Sequence, residues 1–225
     1  MAEEMAEHPR AGGPPATLAQ LRAALAAGER QFRGLRLGEL DAQDLDLSHC
    51  NLGGSCFKEA RFGRARLRGA QVEGCCFQRA LLWGADLSAL QAAHSFWQDA
   101  DLSGARLQGA CLSGAFLHRC CLRGVVAAGS DWRQARLVEA DFRSGLDQLT
   151  DLGAADFRGA DLTFALLRGA NLHGANLQGC CLYGADLTGA DLRQADLQGC
   201  DLRDTQLQDA PLEGALLGGA LLPKT

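Results

Sequence analysis

Ten cysteines and five histidines are the side chains of this 225-residue chain that could take part in metal or covalent chemistry. An even number of cysteines invites a disulfide framework. Cys111, His118, Cys120 and Cys121 lie close enough in sequence to raise a zinc site. Their spacing argues against both. Cys50, Cys75, Cys120, Cys180 and Cys200 fall on one phase of a five-residue period, and Cys56, Cys76, Cys111, Cys121 and Cys181 fall one residue later. Neighbouring residues of an extended segment point to opposite sides, so the two sets face apart and the group around 111–121 does not converge on one ion. No histidine accompanies a recognisable nucleophile motif, and glycine is scattered rather than gathered into a phosphate-cradling loop. The chain is therefore expected to be no enzyme, with no cofactor, no metal ion and no small-molecule substrate.

The same period governs the rest of the chain. From Phe32 to Leu222, 35 of the 39 positions five apart hold Leu, Phe, Val or Trp, and the exceptions are Ala42, Ala92, Ala127 and Asp147. Two residues earlier, 22 of the 38 positions from 35 to 220 hold Ala and 5 hold Cys, and the residue between the two is often Asp or Asn, as in Ala160-Asp161-Leu162 and Ala170-Asn171-Leu172. A period of five fits neither a helix at 3.6 nor a strand at 2, so it belongs to an architecture that repeats as a whole. Each unit reads as a very short strand and a bend. The large and small residues face an interior, the residue between them faces water, and Gly, Ser or Asn turns the corner. One unit cannot bury its leucine alone, but stacked coils can. The first set of cysteines then stands in for the small inward residue, and the second replaces the outward Asp or Asn.

The motif Ala-Asp/Asn-Leu-x-x, as in Ala185-Asp186-Leu187-Thr188-Gly189 and Ala190-Asp191-Leu192-Arg193-Gln194, resembles the consensus of the pentapeptide-repeat proteins over residues 32–222. The resemblance implies an all-β solenoid. It further implies a right-handed quadrilateral β-helix with four units per coil and about ten coils, which would make a rod about 45 Å long at strand spacing. Residues 1–16, rich in Pro, Gly and Glu, read as a disordered tail. Residues 17–28 read as a capping helix with Thr17 as N-cap and Gly28 at its end, and residues 29–225 as the β-helix. Two kinds of partner come with the resemblance. Cyanobacterial members that begin with a similar Ala-Ala-Gly-Glu-Arg-x-Phe, here Ala26 to Phe32, include a heterocyst-differentiation regulator thought to bind a transcription regulator. More distant members protect type II topoisomerase, the gyrase class, as DNA mimics. The expected function is a protein-interaction scaffold or regulator, with the DNA mimic as the alternative.

At 20 residues per coil the outward residues form columns, and one reads Arg36, Cys56, Cys76, Phe96, Phe116, Arg136, Asp156. Cys56 and Cys76 would stack on adjacent coils, within disulfide range, or stay free in a reducing compartment. Phe96 and Phe116 replace the usual Asp and mark a candidate protein contact flanked by Arg36 and Arg136. Two stretches break the motif, 125–130 and 145–150. There the chain is expected to turn Val126 and Leu146 inward, because an ionised Asp147 in the apolar column would be very costly, or to bulge outward. Val126, Leu146 and Asp147 join the candidate contacts. The unbroken five-residue phase argues against a long inserted loop. Net charge is −5, and residues 151–213 hold ten acids against Arg158, Arg168, Arg193 and Arg203. Direct nucleic-acid binding is not expected, because the basic cluster Lys58, Arg61, Arg64, Arg66 and Arg68 is small and lacks aromatic partners nearby. The acidic start lacks the apolar stretch of a secretory signal, no apolar run is long enough to span a membrane, and the chain lacks the C-terminal helical module of dimeric relatives. A cytoplasmic monomer is expected.

Overall fold

The computed structural model describes residues 13–145 and 148–223. One helix, α1 (Leu18–Ala26), precedes the repeats. Thr17 is extended there, and its hydroxyl accepts the Gln20 N–H at 3.2 Å, closing one of the open donors of the first turn. Leu21 of α1 is fully buried in the same apolar cluster that runs through the repeats. Among the described residues no helix is long and apolar enough to cross a membrane.

From Gln31 onward, the residue between each inward pair bridges in parallel to the residue 20 ahead, as in Gln31 to Asn51, Arg36 to Cys56, Asp41 to Arg61 and Asp46 to Arg66. These four columns define four faces, numbered 1 to 4 in that order. Each face is held by two bonds per unit. The Phe96 N–H donates back to the Cys75 carbonyl at 2.8 Å, and the Trp97 N–H donates forward to the Phe116 carbonyl at 2.7 Å. At most corners the central residue's carbonyl accepts the N–H three residues on, as Trp97 does from Ala100 at 2.9 Å. The residue before that donor has positive φ, the signature of a type II turn. It is often not glycine; His94 and Phe164 sit there at φ 55° and 56°. Left-handed backbone costs an L-residue roughly 1–2 kcal/mol, so the stacked ladder imposes a corner that the local sequence would not choose.

The central and small residues of most coils are fully buried, and two of the four exceptions to the leucine rule have a packing cause. Ala92 and Ala127 each begin the pattern Ala-x-x-Ser-x-Trp. The Ser95 hydroxyl donates to the Ala92 carbonyl and accepts Trp97 Nε1–H at 2.6 Å. Ser130 does the same between Ala127 and Trp132. Both indoles are fully buried, and each occupies the space that a leucine on the preceding face would take. Residues 125–130 are therefore not a break. Val125 and Ala127 are buried, and Val126 stays outward and half-buried on face 4. The inward turn expected of Val126 does not occur. Its N–H holds the ladder to the Ala105 carbonyl at 3.1 Å, while its flanking neighbours Val125 and Ala127 take the inward positions.

The true irregularity follows. Val126 bridges to Asp151, Asp131 to Asp156, Arg136 to Asp161 and Asp141 to Leu166, each 25 residues on, before the spacing returns to 20 at Asp151 to Asn171. One extra five-residue unit has entered after Arg143. The insertion is short, and adding one full period leaves every leucine in phase, so the unbroken phase argues only against a longer loop. Thr150 pins the segment. Its hydroxyl donates to the Arg143 carbonyl at 3.0 Å and accepts the Gly124 N–H at 2.9 Å. Gly124, at φ +63°, must lack a side chain, since a Cβ there would come within 3.1 Å of the Gln148 carbonyl and the Gly145 nitrogen. Leu146 and Asp147 lie outside the described residues.

Candidate functional site

The face 2 column runs Arg36, Cys56, Cys76, Phe96, Phe116, Arg136 and then Asp161, Cys181 and Asp201. The expected column is correct as far as Arg136. Beyond it the inserted unit moves Asp156 to face 1, under Asp131. Phe96 and Phe116 stand on successive rungs with ring centroids 5.0 Å apart and planes 13° apart, within the range of a favourable offset stack. The Arg136 guanidinium carbon lies 5.1 Å from the Phe116 centroid, a cation–π contact that continues the stack. Phe96 remains 37% exposed. Below it a shallow trough of about 620 Å³ is bounded by Gln98, Phe116, His118, Gln134, Arg136 and Asp161. Face 2 thus brings together Phe96, Phe116 and Arg136. Arg36 lies at the far end of the same column, and Val126 lies on face 4.

Three exposed or half-exposed aromatics escaped the column reading because they stand on corners. Trp83 follows face 3, packs over Gly63 and faces Arg64, whose guanidinium carbon is 5.3 Å from the indole centroid. Both nitrogens of that fork reach Asp44 at 3.0 Å. Phe164 and Tyr183 meet edge to face at 5.7 Å on the corner between faces 2 and 3. Corner residues 20 apart form columns of their own, as Gly63 and Trp83 do.

Five carboxylates of the acidic ladder are paired from within. Asp131, Asp141, Asp156, Asp191 and Asp201 each accept the fork of the arginine two residues on, together with that arginine's own N–H. The signal was present in the sequence as Asp-x-Arg. The Arg193 and Arg203 forks hold the Asp191 and Asp201 carboxyls at about 2, well below the usual carboxylate range. All five pairs are solvent-facing and contribute little to stability. Their consequence is electrostatic, because these carboxylates present no open charge to a partner.

All ten cysteines are free thiols, including Cys56 and Cys76 on adjacent rungs. Burial pushes Cys50 up to about 11 and Cys75 up to about 12, and it also raises Cys120. Burial also raises the half-buried Cys76 and Cys121, whereas a hydrogen bond with Cys180 lowers Cys200. Access therefore decides: iodoacetamide at pH 8 is expected to label the half-buried Cys56, Cys76, Cys111, Cys121 and Cys181 in the folded chain. It is expected to spare Cys50, Cys75, Cys120, Cys180 and Cys200 until denaturant is added. Peptide mass spectrometry reads this directly, and early labelling of the second set would show that the spine is open. No group of three or more His, Cys, Asp or Glu residues among the described residues could hold a metal ion.

The comparisons with known proteins bear on the fold. The structure superposes with a TM-score of 0.75 on HetL, a pentapeptide repeat protein involved in heterocyst differentiation regulation from the cyanobacterium Nostoc sp. strain PCC 7120. Identity is 32% over 91% of this chain and 94% of that one. QnrB1, a plasmid-mediated fluoroquinolone resistance protein, gives 0.43 at 19% identity over 83% of each chain. A pentapeptide repeat protein of the Arabidopsis thaliana thylakoid lumen gives 0.35 at 24%, over 51% of this chain and 70% of that one. No curated protein matches the chain in sequence. The pattern described as Pentapeptide repeats (8 copies) matches residues 46–84, 84–119, 149–182 and 180–219, leaving a gap around the inserted unit. The bridged columns, the corner at every fifth residue and these matches together imply a right-handed β-helix: the chain belongs to the pentapeptide-repeat family.

Proposed function

We propose that this chain is a non-catalytic interaction scaffold or regulator. It is read as a rigid cytoplasmic rod of about ten coils, monomeric, with α1 over its first coil, that holds a protein partner on face 2. The observation that carries the reading is the Phe96–Phe116 stack. The outward position between an inward pair is filled elsewhere mostly by Asp, Asn, Gln or Arg, and two phenylalanines on successive rungs expose apolar surface that the fold itself does not need. The likeness to HetL, described as involved in the regulation of differentiation, supports a regulatory role. The leucine-filled interior, with its central residues fully buried, supports recognition from the outside. The alternative, a DNA mimic bound by a type II topoisomerase, draws less support, because five carboxylates of the ladder are closed onto their own arginines and present little of the field a duplex would.

Affinity capture from the native host with wild-type rod is expected to retain a protein that Phe96→Asp and Phe116→Asp each lose. Both side chains point outward, so the variants should melt close to wild type. Undiminished retention by both variants would remove face 2 from consideration. Inhibition of gyrase supercoiling at micromolar rod, fading as salt rises, would favour the mimic instead.

A further inference from the structure

We infer that the segment held on face 2 is acidic and apolar together. Its carboxylate would sit on the Arg136 fork, and a neighbouring aliphatic or aromatic side chain would pack on the ring edges of Phe96 and Phe116. The inference rests on face 2 being the contact face.

Of Arg64, Arg136 and Arg203, each laid against an aromatic ring, Arg136 is the one with no carboxylate within 4.0 Å among the described residues. Ten arginines of the repeats, from Arg64 to Arg203, lie within 4.0 Å of a carboxylate. Arg136 has no such partner among the described residues. Its ladder neighbour Asp161 is engaged instead by Thr163, accepting the Thr163 N–H at 3.1 Å and the Thr163 hydroxyl at 2.6 Å. From Arg36 to Arg136 the face 2 column holds two arginines, two cysteines, two phenylalanines and no acid. A guanidinium laid against an aromatic face keeps its edge N–H groups free for a planar anion.

The rings add to this field rather than oppose it. Each phenyl has one face against the other, and Phe116 has its second face against Arg136. What the stack offers outward is ring edge, the electropositive rim of the quadrupole. Edge and fork therefore form one apolar strip of positive potential, complementary to a carboxylate next to a hydrophobic side chain. The same geometry leaves Phe116 no free face on which a nucleobase could stack.

The test is selection of linear peptides from a random phage library on the immobilised full-length chain. Dissociation constants of the winners would follow by fluorescence anisotropy on wild type, Arg136→Gln, Phe116→Asp and the distant control Arg168→Gln. Enriched peptides are expected to pair Asp or Glu with an adjacent Leu, Ile, Met or aromatic residue. They should weaken roughly tenfold or more on Arg136→Gln and on Phe116→Asp and hold on the control. Changing the peptide's acid to its amide should cost the same factor on wild type and little on Arg136→Gln, as expected of a coupled pair. Peptides lost on Phe116→Asp but indifferent to Arg136→Gln would overturn the acidic partner while leaving the face. Peptides indifferent to both variants would overturn the face as well. Failure to enrich any sequence would overturn the inference, as would single-stranded oligonucleotide binding that depends on Phe116.

Discussion

Trp97→Ala is expected to destabilise the rod by about 3–5 kcal/mol, the range for removing a buried aromatic. The high end is favoured because the indole also stacks on Phe77 at 4.2 Å and 11° and donates to Ser95. The more telling result is its coupling to Ala92. The alanine and the tryptophan occupy neighbouring central positions of one coil, where the repeat would place two leucines. Ala92→Leu alone then overpacks the coil and is expected to cost roughly 1–3 kcal/mol. Trp97→Leu alone leaves a void. The double variant Ala92→Leu/Trp97→Leu restores the ordinary pair and is expected to lie within about 1.5 kcal/mol of wild type, as volume-conserving exchanges do. Urea melts followed by circular dichroism close the cycle. An interaction energy within about 0.5 kcal/mol of zero would show that Ala92 and Trp97 are independent.

The repeats were legible because each unit repeats the same demand. Leu162, Leu172 and Leu182 face inward for the reason that every central residue does, and the bridging residues follow by alternation. The Phe96–Phe116 stack was legible too, since column arithmetic needs only the coil length. What failed was compensation between units. Ala127 reads as a break in the motif because its partner in volume, Trp132, stands five residues away. The face of every residue after Arg143 was misassigned because phase and coil number are separate quantities. The leucine period reports the first, and only the ladder from Val126 to Asp151 reports the second. The pairing state of Arg136 was equally out of reach, because it depends on what engages the Asp161 carboxylate.

That separation gives the second large prediction. Deleting five residues, 144–148, together with Leu149→Gly, joins Arg143 to a glycine and then to Thr150 and Asp151. The corner thus gains a residue suited to positive φ, and the next unit begins in phase. The fold is expected to survive with stability within about 1 kcal/mol of wild type, since closing a short surface loop changes chain entropy only slightly. Deleting only three residues, 144–146, shifts the phase. Every later leucine then leaves the spine, and the coils after Arg143 are expected to unfold, with loss of a large part of the β signal and rapid proteolysis beyond that point. The two deletions differ by two residues and are expected to differ by most of the C-terminal half of the rod. Limited trypsin digestion with mass spectrometry separates them. Equal resistance of both would mean that the segment after Arg143 absorbs any length and that the five-residue phase does not hold the two halves together. The five-residue deletion should also leave the face 2 stack of Phe96, Phe116 and Arg136 intact, because all three precede the cut. A loss of partner binding in that variant would place part of the contact on the inserted unit itself.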